Sequence, residues 1–390
     1  MNNIDALIAQ LCPDGVGFRE LGEICDISTG QKPIENILQE VGKFHFVNAG
    51  LEPSGYINVK NTTAETITIP SRGQGGAGYV GYQQKDFWCG PLCYKINSKQ
   101  IYVSTKFIYY YLKSIQGNII ELRQTGSIPA INKKELIEVK IPIPPLNIQQ
   151  EIVNFLDKLT QLEVELQTEL QARRTQYEYY RNELLNFEGK EVEWKTLGEI
   201  GVFMRGNGLQ KKDFTESGVG CIHYGQIYTY YGTCANKTKS FVSPEIAKKL
   251  KKAQKGDLII ATTSENVEDV CKTVVWLGED EIAISGETYI FKHNENAKYL
   301  AYYLQTPMFF NYKKQHITGT KVIRVSGDKL AKFKIPIPPL AEQERIVAIL
   351  DKFDALVNDI SMGLPAEIEA RRKQYEYYRG KLLDFKPLEQ

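Results

Sequence analysis

The sequence predicts an α+β protein: two tandem mixed α/β domains, separated by two long helices that form an antiparallel coiled coil about an internal pseudo-two-fold. Three observations predict it. The decapeptide ARRTQYEYYR at 172–181 returns at 370–379 as ARRKQYEYYR, with only Thr175 exchanged for Lys373. IPIPPLNIQQEIVNFLDKL at 141–159 matches IPIPPLAEQERIVAILDKF at 335–353. Between these motifs, apolar residues recur in steps of three and four, the spacing of a helical seam.

Internal similarity extends upstream and sets the element order. FRELGEI at 18–24 matches WKTLGEI at 194–200, FIYYYL at 107–112 resembles YLAYYL at 299–304, and TGS at 125–127 resembles TGT at 318–320. Each half therefore runs from LGEI through a divergent stretch to IPIPPL and then into a helix. The boundaries read as a first domain at 1–145, a central helix at 146–187, a second domain at 188–339 and a C-terminal helix at 340–390.

The divergent stretches alternate short strand-like runs with Gly- and Asn-rich turns, and each carries one clear helix near its end. ETITIPSRGQGGAGYVGY (65–82) and GDLIIATTSENVEDVCKTVVWL (256–277) share a layout of strand, polar loop, strand, as do ISTGQKP (27–33) and FMRGNGLQKKDF (203–214). One scaffold with almost wholly different loops suggests two different surfaces being read. GQGGAGYVG has no following Lys and reads as a flexible loop.

IPIPPL cannot be helical, because its prolines lack a donor and push their predecessors to extended geometry. The next 40 residues have neither Pro nor Gly up to about 186. Their seam runs Ile152, Leu156, Leu159, Glu163, Leu166, Leu170, Arg173, Tyr177, Tyr180 and Leu184. The second copy runs 346, 350, 353, 357, 360, 364, 368, 371, 375, 378, 382, with two steps of four in succession. That four-residue stutter raises the repeat offset from 194 at IPIPPL to 198 at the decapeptide, and Gly363 and Pro365 sit beside it, so a kink or short break is expected there. A helix of this length spans about 60 Å.

Composition narrows the function. Hydrophobic residues at 42% and charged residues at 24% are ordinary for globular proteins, and the net charge of +1 neither suggests nor excludes nucleic acid. No apolar run approaches 18 residues, which argues against a membrane span, and seven irregularly spaced cysteines read as free thiols in a reducing cytosol. No metal site is expected: Cys89 and Cys93 are the only close cysteine pair and lack further ligands. No phosphate loop, H-E-x-x-H or G-x-S-x-G occurs, and four histidines leave few places for a catalytic site. No catalytic residue is therefore expected.

Tandem divergent domains, each closed by IPIPPL-x-x-Q and a helix bearing ARRxQYEYYR, closely resemble the DNA-specificity subunits of Type I restriction–modification systems. LIAQLCPDGVGFRELGEI and GLPAEIEARRKQYEYYR (363–379) add to the resemblance, which covers essentially the whole chain. It implies that each domain is a target recognition domain reading one half of a split duplex-DNA site. The paired helices would set the spacer and dock two modification subunits. S-adenosylmethionine, ATP and Mg²⁺ would belong to those subunits and to a restriction motor-nuclease, none to this cytoplasmic, non-catalytic chain. A methylation-only system without a restriction subunit, and a chain with its own nuclease or methyltransferase activity, stand as alternatives.

Base edges are best read by Arg, Lys, Asn and Gln, and phosphates by Lys, Arg and main-chain amides. On that chemistry the DNA-contacting candidates of the first domain are Thr29, Gln31, Lys32, Ser71, Arg72, Gln74, Arg123, Gln124 and Ser127. Those of the second are Arg205, Asn207, Lys211, Lys212, Tyr224, Gln226, Thr263, Ser264, Asn266, Thr320, Lys321 and Arg324. In the decapeptides, Arg173, Arg174, Tyr177 and Tyr180, with Arg371, Arg372, Tyr375 and Tyr378, are candidates for partner docking or helix pairing.

Overall fold

The computed structural model describes residues 2–33, 38–124, 126–359 and 361–388, the side chains of Asn2 and Asn3 excepted. Thr125 of the TGS motif and position 360 of the seam lie outside the described residues. The chain forms two compact units: Met1–Glu165 with Ala370–Gln390, and Leu166–Glu369. Each unit thus contains one domain, part of the central helix and part of the C-terminal helical segment.

In the first unit, four antiparallel strands lie in the order Cys25–Thr29, Cys93–Ser98, Thr66–Pro70, Gly81–Gln83. A smaller sheet holds Tyr56–Ile57, Phe44–Val47 and Phe87–Cys89, the last two parallel. The second unit repeats the frame as Gly201–Arg205, Thr288–His293, Leu258–Ala261 and Thr273–Trp276, extended by Cys234–Ala235. Its second sheet, also of five strands, likewise contains a parallel pair, Val219–Ile222 with Ile282–Ile284. The central strands are buried: Ile67, Ile69 and Ile96, which alternate with polar residues in one unit, and the continuous apolar run Leu258–Ala261 in the other are all excluded from solvent.

LGEI forms one helical turn in each unit, closed by a capping box in which Glu23 or Glu199 accepts from the backbone N–H of Glu20 or Thr196. The IPIPPL prolines sit where a donor is dispensable. Among the described residues Lys140–Pro142 pairs only with Phe18–Glu20, and Lys334–Ile337 only with Glu193–Thr196, so each ribbon joins the start and end of a domain. The glycine-rich segment 74–78 is not the loose loop expected: Ala77 is fully buried, and Arg123 Nε and Gln116 Nε2 donate to the carbonyls of Ala77 and Gly78.

The central helix runs from Leu146 to Leu184. The C-terminal segment forms two helices, Leu340–Asn358 and Leu364–Leu382, so the expected break falls just before Leu364. In the first unit, Glu163 pairs with Arg372 (3.1 Å), Phe155 packs edge-on against Tyr378 (5.3 Å), and Ile152 and Leu156 share a core with Leu382 and Leu383. Rising numbers meet falling ones, so the pairing is antiparallel. In the second unit, Tyr177 and Tyr180 pack on Phe353, Tyr180 stacked at 5.3 Å.

The same polar lock fastens each domain to its helix. Asp157 accepts from Lys106 Nζ (2.7 Å) and Tyr110 Oη (2.6 Å); Asp351 accepts from Lys298 Nζ (2.7 Å) and Tyr302 Oη (2.7 Å). Among the described residues, no helix is long and apolar enough to cross a membrane.

Candidate nucleic-acid interface

In each domain the candidate loops converge at the edge where the two sheets meet, because the backbone ties them there in the same pattern. In the first domain, Gly30 N–H donates to Cys93 O, Ser71 N–H to Leu92 O, and Ile131 N–H to Ser71 O. In the second, Gly206 N–H donates to Thr288 O, Thr262 N–H to Glu287 O, and Val325 N–H to Thr262 O. Isolated bridges complete the match: Arg72 and Gln124 flank Ala130 as Thr263 and Thr318 flank Arg324. Thr29 and Arg205 end equivalent five-residue strands that begin at Cys25 and Gly201. Thr29, Arg72, Leu92 and Ala130 thus occupy the positions that Arg205, Thr263, Glu287 and Arg324 occupy in the second domain.

Gly30 and Gly206 are required by close approach. A Cβ on either would meet a carbonyl oxygen, of Cys89 or of Ser285, at 2.1 Å. They let the first candidate loop pass directly over the end of Phe87–Cys89 in the first domain and over Ser285, just after Ile282–Ile284, in the second.

The first domain leaves Thr29, Gln31, Lys32, Arg72, Gln74, Gln124 and Ser127 exposed, and Ser71 half-buried. Gln31 is held through its backbone, its N–H donating to Cys89 O and its carbonyl accepting from Trp88 Nε1 at 2.8 Å. Arg123 is used inside the domain: Nε donates to Ala77 O at 2.7 Å and the guanidinium covers the Tyr79 ring. It braces the loop that presents Arg72 and Gln74.

In the second domain, Arg205, Asn207, Lys211, Lys212, Asn266, Thr320, Lys321 and Arg324 are exposed. Thr263 and Ser264 differ from the rest: they are buried, at 5% and 8%, because the strand they follow is buried on both faces. Gln226 caps its own helix, accepting from His223 N–H and donating to Ser240 Oγ at 2.7 Å, and so serves the frame too. Asn207 pins the neighbouring lysine loop, donating to Lys249 O and accepting from Lys251 N–H, both at 2.8 Å. Asn266 closes a turn with Asp269. Tyr224 is half-buried against His223, its N–H on Ser285 Oγ. In the basic run 248–256, Lys252 and Lys255 pair with Glu281 and Glu279.

Sequence reasoning missed Glu287. Its Oε2 accepts from Thr263 Oγ1 at 2.6 Å, and Arg324 Nε and Arg205 Nη2 lie 3.7 and 3.9 Å from its two oxygens. The partners come from three distant segments, so no local pattern betrays the cluster.

On the helices, Tyr177, Tyr180, Tyr375 and Tyr378 turn toward their paired helix or its core. Arg173 bonds Glu169 and Gln176, Arg371 bonds Gln374, Arg372 bonds Glu163, and Arg174 is exposed. The tyrosines facing outward are Tyr179 and Tyr377, 60% and 63% exposed at equivalent places in the two decapeptides.

A sequence model described as the Type I restriction modification DNA specificity domain matches residues 13–173 and 189–370. A putative type I restriction enzyme specificity subunit of Haemophilus influenzae is 32% identical over 388 residues, covering 95% of this chain and 96% of that one. The EcoR124I/EcoR124II specificity subunit of Escherichia coli is 36% identical over 300 residues, 72% of this chain and 70% of that one. The crystal structure of a Type I restriction–modification S subunit from M. genitalium superposes with a TM-score of 0.63 at 20% identity, covering 95% of this chain and 96% of that one.

Proposed function

Because the chain belongs to the Type I restriction–modification DNA specificity family, we propose that each of its domains reads one half of a bipartite duplex site through the loop edge just described. The observation that carries this reading is the shared backbone pattern with different side chains: Thr29, Arg72, Leu92 and Ala130 in one domain, Arg205, Thr263, Glu287 and Arg324 in the other. An invariant frame fixes where side chains reach the groove, and the side chains decide which bases they meet. Exposed Lys32, Lys211, Lys212 and Lys321 would supply phosphate contacts at the rim.

Two half-sites need a fixed separation, and helices supply it, as dimer geometry does in other DNA readers. One helical turn is about 5.4 Å, comparable to one or two base-pair steps. The repeated outward tyrosines, Tyr179 and Tyr377, support two equivalent docking faces for two modification subunits. S-adenosylmethionine is then bound by those subunits, and ATP and Mg²⁺ by a motor-nuclease, with this chain supplying address and no catalysis. The test is methylome sequencing of cells expressing the chain with its modification partner. A split motif that disappears without this chain is expected. Methylation or cleavage by the purified chain alone would overturn the division of labour.

A further inference from the structure

Base-reading surfaces gain little from an isolated carboxylate, since it repels the phosphate backbone. Glu287 nevertheless lies at the centre of the second domain's loop edge. Its side chain is 31% exposed, beneath Arg205 and Arg324 at 61% and 58%. At 3.7 and 3.9 Å neither guanidinium is hydrogen-bonded to it, so the carboxylate attracts both forks without consuming their donors. Each arginine is anchored at its base: Arg205 Nε donates to Gly286 O at 3.1 Å, and Arg324 is paired by backbone to Thr263 and Thr318. Glu287 is itself held by the Thr263 hydroxyl, and Thr263 O accepts from Tyr228 Oη at 2.6 Å. Two exposed cations would otherwise repel each other and swing toward phosphates. An anion fixed between the two guanidinium groups keeps them together and weakens phosphate approach at that point.

We propose that Glu287 is the specificity-determining positioning residue of the second domain, holding Arg205 and Arg324 as a paired fork that reads guanine in that domain's half-site. The arginine fork matches guanine O6 and N7 in the major groove, the commonest specific contact to a base. The equivalent positions of the first domain carry Leu92, Thr29 and Ala130, so the device belongs to the second half-site only. The inference rests on the DNA-reading function proposed above.

The test uses the full chain with its modification partner. The wild-type motif is first defined by methylome sequencing, and duplexes carrying 7-deazaguanine, which lacks N7, are then compared with unmodified duplexes for methylation rate. Substitution of guanines in the second half-site is expected to slow methylation roughly tenfold or more. E287Q, nearly isosteric and still able to accept from Thr263, is expected to relax base choice at those guanine positions while the first half-site stays unchanged. E287D should restore part of the discrimination, which a merely structural defect would not predict. R205Q and R324Q alter exposed side chains and carry the test if E287Q is unstable. The proposal is overturned if all three Gln variants keep the wild-type motif, or if the second half-site contains no G·C pair. Absence of any chain-dependent sequence-selective methylation by wild type would instead overturn the DNA-reading function itself.

Discussion

Gln149 and Gln343, the last residues of the two IPIPPL-x-x-Q motifs, are completely buried, which is unusual for glutamine. Gln149 accepts from Ser104 N–H (2.9 Å) and donates to Pro144 O (2.8 Å) and Tyr102 O (3.0 Å). Gln343 accepts from Asn296 N–H and donates to Pro338 O and Glu295. Each amide ties a proline lead-out to the cap of the domain helix. Gln149→Leu or Gln343→Leu strands those backbone groups and is expected to cost about 2–4 kcal/mol, read from denaturant midpoints. The motif was visible in the sequence; its role was not, because its partners precede it by some 45 residues or lie across a turn. Burial also pushes the thiols of Cys25, Cys221 and Cys271 from 9.0 up to about 12. A raised thiol pKa stabilises the fold fully below pH 9, and that contribution fades as pH rises from about 9 toward 12. Native protein should therefore resist iodoacetamide at pH 8.5 at these three cysteines and lose stability on alkaline titration above pH 9.

At the scale of the helices, the four-residue mismatch between the repeats takes physical form as the turn that follows Asn358. Asp359 closes that turn, accepting from the backbone N–H groups of Ser361 (2.7 Å) and Met362 (3.2 Å). Gly363 then passes so near the preceding helix that a Cβ would meet the carbonyl oxygens of Ala355, Asp359 and Leu356 at 2.5, 2.7 and 2.8 Å. Backbone cannot yield as a side chain can, so Gly363→Ala is expected to destabilise by about 1–3 kcal/mol, measured by thermal unfolding. Deleting 361–364 removes the inserted turn and is expected to alter the spacer of the methylated motif while leaving both half-sites unchanged. Altered half-site bases with the old spacer would refute that role. Of the seam tyrosines, Tyr177, Tyr375 and Tyr378 pack against the apolar cores, and Tyr180 stacks on Phe353 while remaining 40% exposed. Tyr179 and Tyr377 escaped notice because exposure adds no period to a sequence.

Across the whole chain, duplication was legible because the frame-forming residues repeat: the LGEI turns, the proline ribbons and the Asp157 and Asp351 locks. The loop edge proposed to read DNA was legible only in part. Arg72, Gln124, Arg205 and Arg324, singled out by loop composition, lie at the shared edge and are exposed. Thr263, Ser264 and Arg123 are drawn into the domain instead, Thr263 on Glu287 and Arg123 on Ala77 O, and Glu287 itself was passed over entirely. What a linear sequence withholds is which polar side chains meet one another across loops. The account's central claim is that one frame, used twice, reads two independent half-sites. Methylome sequencing of the Arg72→Ala/Gln124→Ala and Arg205→Ala/Arg324→Ala double variants tests it most directly. Each variant should change one half of the bipartite motif, a different half for each, with the other half and the spacer intact; changes in the same half, or in neither, would contradict it.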